Sequence, residues 1–436
     1  MAIGYACVTR GVQGAQQRAM RLSSIGDEAR FLEVAHANLD ALDRILTYNR
    51  SRGIQLFRVS SGLIPLASHP DNPHDWESLL APRFAELRTR VDAAGLRLSM
   101  HPGQYTMLDS DRPETVDAAL AEVEYAARLL SLLSGGESLI VLHGGGKPDA
   151  LARGVDLLSP AARGMLVLEN DETRSAPEDT LAACRRLGLP MVYDPLHAEV
   201  RASRRTGAGR LPANGDPAWA KVHRETTADA SQTWQRRARP QKIHVSLQRE
   251  GPGARPGAHS ESIPSRVLQR KLADWGVDPA QQDVMLETKD KNWSATACTL
   301  SLLGATRPAL EREWAAWKYL VMEHSRSHYD QIRDHFNRME RTSRAVPPED
   351  VLRFYDLVDA ARAIPAKPGG TLNALQHVWG YFKRDANDAE RAAMMRAQRQ
   401  FSEGGLSRGA VVARLEALAI KYGADYLLDG YYLNER

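Results

Sequence analysis

Eight short apolar runs recur through the first two-thirds of the chain, and at least six of them close on a histidine or a carboxylate. They are IGYACV from Ile3, IQLFRVS from Ile54, RLSMHP from Arg97, SLIVLHG from Ser138, MLVLEND from Met165, PMVYDPLH from Pro190, QKIHVS from Gln241 and DVMLETK from Asp283. Runs this short, separated by longer stretches of helical periodicity, predict an α/β chain folded as a parallel (β/α)8 TIM barrel. His101, His143, Glu169, Asp194 with His197, His244 and Glu287 stand at or just past the C-terminal ends of the runs. In a barrel those ends open on one face, so residues scattered from His101 to Glu287 are expected to meet in one pocket.

The residue types give that pocket its chemistry. One histidine closing a strand is ordinarily a hydrogen-bonded structural residue, but titratable groups at the same end of successive strands point to a site. Imidazole mixed with carboxylate suits Mn, Zn or Fe, whereas an all-oxygen set suits Mg or Ca. The candidates exceed the four ligands one zinc takes, so more than one ion is expected. Such a cluster lowers the pKa of a bound water and clamps both oxygens of an in-line displacement, which makes phosphodiester hydrolysis the expected reaction.

The remaining composition narrows the class. A chain of 436 residues is long for one domain and comfortable for two, and 43% hydrophobic with 25% charged residues is ordinary for a soluble globular protein. No apolar run approaches the ~20 residues of a membrane span, and Met1 leads directly into the first run, so a cytoplasmic protein without a signal peptide is expected. Cys7, Cys184 and Cys298 are too few and too scattered for a disulfide framework or zinc knuckle, and should be buried small hydrophobes. Net charge is only +3, yet Arg201, Arg204, Arg205, Arg210, Lys221, Arg224, Arg236, Arg237, Arg239 and Lys242 crowd one Gly/Pro-interrupted connection. That connection is expected to overhang the metal face and meet phosphates; a solvated insertion without a partner is the other reading. Between runs, Leu32, Ala35, Leu39, Leu42 and Leu46 mark the inner stripe of a helix on which His36 and Asn38 look ordinary.

The strings GYACV, LFRVSSGLIPLASHP, LRLSMHPGQYT, VLHGGG, LVLENDE, VYDPLH, KIHVS, PGAH and VMLETKDK together resemble the UV damage endonucleases, in family order across residues 1 to 302. The resemblance implies an enzyme that nicks duplex DNA 5′ to cyclobutane dimers and 6-4 products by metal-hydroxide attack, and thus a nucleoid-associated protein. It maps His101, His143, Glu169, Asp194, His197, His244, His259 and Glu287 onto metal ligands, for two or three ions ascribed to manganese, with zinc or magnesium as alternatives. His259 enters only through the resemblance. Glu169, His244 and Lys242 take catalytic roles, Lys242 matching a carboxylated lysine; from the residue alone it would be a phosphate contact. Gln104 and Tyr105 would probe the duplex, an aromatic ring and an amide filling the gap at an unstacked lesion. Tyr5, Arg204 and Arg205 complete the expected DNA contacts. Thr9 stands where the family has asparagine, and His69 is either a loop residue or a support to the site.

Beyond Leu303 the pattern changes to helices without strands. WKYLVMEHSRSHY, NALQHVWGYFKR and YLLDGYYL resemble the YbgA-type domain of unknown function, over residues 308 to 436, with Gly430 where that family commonly has glutamine. One amphipathic helix is expected to carry Trp314, Trp317, Leu320, Val321, His324 and His328. His324, His328 and His377 with Tyr329, Tyr381 and Lys383 form either a packing cluster or a DNA-facing surface. Three alternatives to the main reading remain: an abasic-site enzyme of the endonuclease IV type, a sugar isomerase on the same barrel, and a non-catalytic damage sensor.

Overall fold

The computed structural model describes residues 1–207, 211–212, 216–251, 253–278, 280–340 and 345–435. Arg210, one of the arginines of the basic connection, lies outside the described residues. The chain divides into two compact units. The first comprises Met1–Thr9, Gly14–Ile263 and Val267–Thr299; the second comprises Arg10–Gln13, Pro264–Arg266 and Leu300–Arg436.

In the first unit the eight runs are strands: β1 Ile3–Ala6, β2 Leu56–Val59, β3 Arg97–Met100, β4 Leu139–His143, β5 Leu166–Glu169, β6 Met191–Val192, β7 Gln241–Val245 and β8 Gln282–Leu286. They pair in parallel in the order β6-β5-β4-β3-β2-β1-β8-β7. A parallel bridge between Tyr193, just past β6, and Ile243 of β7 closes the ring. Seven strands are buried along their whole length, and in β4 only the closing His143 is partly exposed, which is why they read as apolar runs instead of alternating ones. Gly4 is required by the pairing of β1 with β2: a Cβ there would lie 1.8 Å from the Leu56 carbonyl oxygen.

The helices follow the sequence closely, with informative departures. Glu28–Arg52 begins where the Asp27 carboxylate accepts the Arg30 N–H and ends at Gly53, whose φ of 71° only glycine adopts freely. Its buried face keeps Ala35, Leu39, Leu42 and Leu46 of the expected stripe and adds Phe31, Val34, Ala41 and Ile45, while Leu32 at its edge is only partly buried. Asn38 is not an ordinary helix residue: it is buried, accepts from Arg18 N at 2.6 Å and donates to Leu63 O at 3.0 Å, pinning two loops. Cys184 and Cys298 are buried, while Cys7 is partly exposed and has a φ of 63°.

The basic connection does not overhang the C-terminal face of the strands as a whole. Two helices, Pro195–Thr206 and Pro217–Gln232, take most of it, and the second returns the chain to the N-terminal ends of the strands. Arg237 there donates to Gly164 O and Leu166 O, at the start of β5, and the Arg239 N–H donates to Glu137 ahead of β4. Arg224 caps Asp274 O, and Lys242 is wholly buried in the barrel. Among the described residues of the connection, Arg201, Arg204 and Arg205 remain near the loop that follows β5.

The second unit is helical: Arg307–His324, Arg326–Arg338, Pro348–Arg362, Pro368–Trp379, Asp388–Ser402, Arg408–Lys421 and Asp425–Leu428. It is not strand-free, because Ala305–Thr306 pairs antiparallel with Ala345–Val346. The long helix expected through His328 breaks at Ser325, whose hydroxyl accepts the His328 N–H and caps the next helix. His324 and His328 therefore sit on different helices and do not form a metal pair: His324 Nδ1 donates to Ile364 O at 2.6 Å, and His328 Nδ1 pairs with Ser325 Oγ at 2.8 Å. Asp388–Ser402 was not anticipated, although Asn387 and Glu390 form its reciprocal cap. Two carboxylates buried in this unit are satisfied internally, Glu323 by Arg408 and Thr371, and Glu313 by Tyr355 and Tyr431.

Candidate metal centre at the strand ends

Parallel pairing puts His143 beside Glu169, and the same geometry gathers the other strand-end residues. Glu169 is the hub. One carboxylate oxygen lies 2.6 Å from His244 Nδ1, the other 2.8 Å from His101 Nε2. Asp194 and His197 come from the first turn of Pro195–Thr206, where the Asp194 carboxylate caps the helix by accepting the His197 N–H at 2.9 Å. Asn170 holds that turn in place, its amide bonding both Asp194 O and Asp194 N, at 2.8 and 2.9 Å. Glu287, just past β8, lies 3.3 Å from His244 Nδ1 and 3.8 Å from His259 Nδ1.

Three groups have donor atoms all within 4.8 Å of one another: His101, Glu169 and His244; Glu169, Asp194 and His197; and Asp194, His244 and Glu287. His143 and His259 fall outside these groups, although the His143 ring centroid is 4.9 Å from that of His101 and 5.5 Å from that of His197. The donor set fits divalent ions by two further signs. Asp194 Oδ2 is buried without a hydrogen-bond partner, a costly state that an ion would relieve. The imidazoles are also aimed: His101 Nδ1 donates to Pro102 O at 3.2 Å and His197 Nδ1 to Asn170 O at 3.0 Å. A carbonyl only accepts, so each ring keeps its proton on Nδ1 when neutral and offers the Nε2 lone pair.

Burial sets the electrostatics and the ion pairs redistribute them. Burial opposes ionisation of Glu169, but His244 and His101 outweigh it and hold the carboxyl well below its usual range. Burial likewise opposes Glu287, and Arg58 with His244 prevails. Asp194, with less help, is pushed up to about 6 by burial. His244 is driven down to about 3 by burial, whereas in His197 the carboxylates of Asp194, Glu169 and Glu287 overcome burial and raise the ring to about 10.

Sequence reasoning missed Arg58. Its Nη2 contacts Glu287 Oε1 and lies 3.0 Å from His244 Nε2, in a position almost closed to solvent. The signal was a lone arginine inside the buried run LFRV, where an unpaired charge is not tolerated. Asp171 was also missed; it accepts from Thr173 and Arg174 N–H groups and faces His143 Nδ1 at 3.3 Å. Lys242 lies two residues before His244 on β7, fully buried, with Nζ donating to Ser99 Oγ at 2.7 Å. Burial, then Arg58 and Arg97, push its pKa well below the usual lysine value.

The expected DNA contacts fare unequally. Tyr105 is 81% exposed and Gln104 is exposed beside it, on the loop that follows His101. Tyr5 is a correction: its ring is wholly buried against Phe57 and its hydroxyl is bonded to Thr9 and Asn49, leaving no surface for DNA. Thr9 completes that internal bond. Arg204 is engaged with Glu172, and Arg205 is exposed 3.7 Å from Glu178. His69 Nδ1 accepts the Asp71 N–H within its own turn.

Residues 1–303 match the family model described as UV-endonuclease UvdE. The chain belongs to the UV-endonuclease family. Residues 318–435 match a second model, described as a protein of unknown function (DUF1722), which is the YbgA-type domain. A UV DNA damage endonuclease of Clostridium perfringens is 27% identical over 403 residues, covering 89% of this chain and 90% of that protein. A UV-damage endonuclease of Neurospora crassa is 31% identical over 280 residues, covering 59% of this chain and 39% of that longer protein. Among solved structures, SacUVDE aligns with a TM-score of 0.59 and 30% identity, over 70% of this chain and 99% of that one.

Proposed function

We propose that the chain is a metal-dependent endodeoxyribonuclease that nicks duplex DNA on the 5′ side of ultraviolet photoproducts. The observation that carries this reading is the set of three donor groups sharing Glu169, Asp194 and His244 at the strand ends, with Tyr105 exposed on the loop leaving His101. The names of the relatives support the same activity. Membership of this family favours DNA over the sugar of an isomerase on a similar barrel.

His101, Glu169, Asp194, His197, His244 and Glu287 would hold two or three divalent ions, manganese foremost, with His143 and His259 completing the set. Bound there, such ions supply Lewis acidity at the scissile phosphate and acidify a coordinated water. The protein orients its donors: Pro102 and Asn170 fix two ring tautomers, and Arg58 fixes Glu287 and His244. Water provides the attacking oxygen, the bond from phosphorus to the 3′ oxygen breaks, and no side chain becomes covalently attached. Gln104 and Tyr105 fill the space left by an unstacked lesion, where base displacement costs least. A lysine held neutral is the form that adds carbon dioxide, losing a proton to give a carbamate, so Lys242 is suited to carboxylation.

The test is an end-labelled duplex with one thymine dimer, incubated with Mn, with Zn, with Mg and with chelator. Ion-dependent cutting 5′ to the dimer is expected, lost in His101→Ala and Glu169→Gln. Preferred cutting of an abasic duplex, or tight binding without cutting by the ion-loaded protein, would overturn the reading. Carbon-13 NMR after labelled bicarbonate should show a carbamate that Lys242→Met lacks.

A further inference from the structure

The three strings that mark the helical unit, WKYLVMEHSRSHY, NALQHVWGYFKR and YLLDGYYL, converge on four tyrosines. Tyr319 comes from Arg307–His324, Tyr329 from Arg326–Arg338, Tyr381 from the turn after Pro368–Trp379, and Tyr426 from Asp425–Leu428. Tyr319 and Tyr381 join their hydroxyls at 2.9 Å, and their rings meet edge to face. Burial, and the neighbouring tyrosines after it, push the Tyr319 and Tyr426 hydroxyls above the usual phenol range, with Tyr329 and Tyr381 among the neighbours of both.

Two of the four are not core residues. Tyr381 is 46% and Tyr426 43% exposed, and their rings lie nearly parallel, 18° apart with centroids at 5.8 Å. Two aromatic rings side by side and half in water form a patch on which a third ring can stack. Cations surround the cluster. Lys318 lies over the Tyr319 ring, Arg326 and Arg333 over the Tyr329 ring, and Lys383 and Arg384 follow Tyr381 in the chain. Arg326 is shared with Asp330 at 3.0 Å, but Lys318, Arg333, Lys383 and Arg384 make no ion pair among the described residues. Two exposed aromatic rings, with unpaired cations on neighbouring residues, fit one chemistry: flat bases strung on a phosphate chain.

We infer that the helical unit carries a binding site for unpaired nucleic acid, in which a base stacks on the Tyr381–Tyr426 pair and flanking phosphates meet Lys318, Lys383 and Arg384. The contact is to a ring face and to phosphate, so neither sugar is specified, and the test distinguishes DNA from RNA. This inference is independent of the nicking chemistry.

The experiment uses the full chain, in chelator, with a short single-stranded oligonucleotide carrying 5-iodouracil, in deoxy and ribo forms. Irradiation followed by peptide mapping should place cross-links on peptides containing Tyr381 or Tyr426, with one sugar form or both. In anisotropy titrations, stacking of about 1 to 3 kcal/mol per base means that Tyr381→Ala with Tyr426→Ala weakens binding at this site about 5- to 150-fold. Tyr381→Phe and Tyr426→Phe keep the ring faces and should bind like the parent, and Lys383→Glu should lower the salt slope by about one. Cross-links confined to barrel peptides in both arms would overturn the inference. So would Phe variants that lose binding as fully as the Ala variants, because the hydroxyl network and not the stack would then be what matters.

Discussion

Arg58→Met tests the electrostatic construction of the site before any substrate is involved. Glu169, Asp194 and Glu287 place three carboxylates in one buried pocket, and Arg58 is the guanidinium set among them, with 9% side-chain exposure against 11% for its partner Glu287. Lys242, the other buried cation nearby, is pushed towards its neutral form and offsets little. Removing one partner of a buried pair leaves the other uncompensated and typically costs about 3–5 kcal/mol. At an m value of about 3 kcal/mol/M in urea, that lowers the midpoint of barrel unfolding by about 1 to 1.7 M. The assay is urea unfolding in chelator, read by hydrogen exchange in β2 and β8 peptides so that the helical unit does not contribute. Divalent ions supply the missing positive charge, so saturating Mn should recover much of the deficit in Arg58→Met. Pairing the change with Glu287→Gln should recover part of it without metal. A midpoint in chelator within about 0.2 M of the parent would show that Arg58 does not hold this pocket together, and the argument would fail.

Other outcomes follow from the same geometry. His197 is raised to about 10, so at neutral pH it carries a proton that an ion taking Nε2 must expel; affinity should rise about tenfold per pH unit below that value, and calorimetry in buffers of different ionisation heat should count about one proton released. Tyr105→Ala should weaken lesion binding by about 1–3 kcal/mol while metal content by elemental analysis is unchanged; loss of metal would place the ring in the site's support instead of at the duplex. Gly4→Ala should cost more than the ~1–3 kcal/mol of ordinary overpacking, because the clash is with the Leu56 backbone, and a soluble variant of parental stability would contradict the closure of β1 on β2.

The barrel and most of its centre were legible in the chain because both are written locally. A strand buried on two faces must be a short apolar run, and a polar group at or near its C-terminal end interrupts that run, so His101, His143, Glu169, His244 and Glu287 stood out as candidates. The helical unit was legible as helices, but one was missed and two were drawn too long, through His328 and through Leu428. The Ser325 break depends on a side chain capping the next turn, a local bond that competes with helical periodicity.

Tertiary structure decided what depends on direction and partner. Tyr5 is an ordinary letter in a buried run and Arg58 a charged one whose partner the run does not name, yet strand pairing turns the ring into the core beside Asn49 and aims the guanidinium at Glu287. The arginines after Asp194 looked like one basic overhang until a helix carried Arg237 and Arg239 to the opposite end of the barrel. Sequence alone thus determined which elements form and which residues stand at their ends, because hydrophobic period and capping act within a few residues. Which donor groups come within reach of one another, which arginine neutralises them and which tyrosines stay in water were fixed only when distant segments packed, because those energies belong to pairs that the chain order does not record.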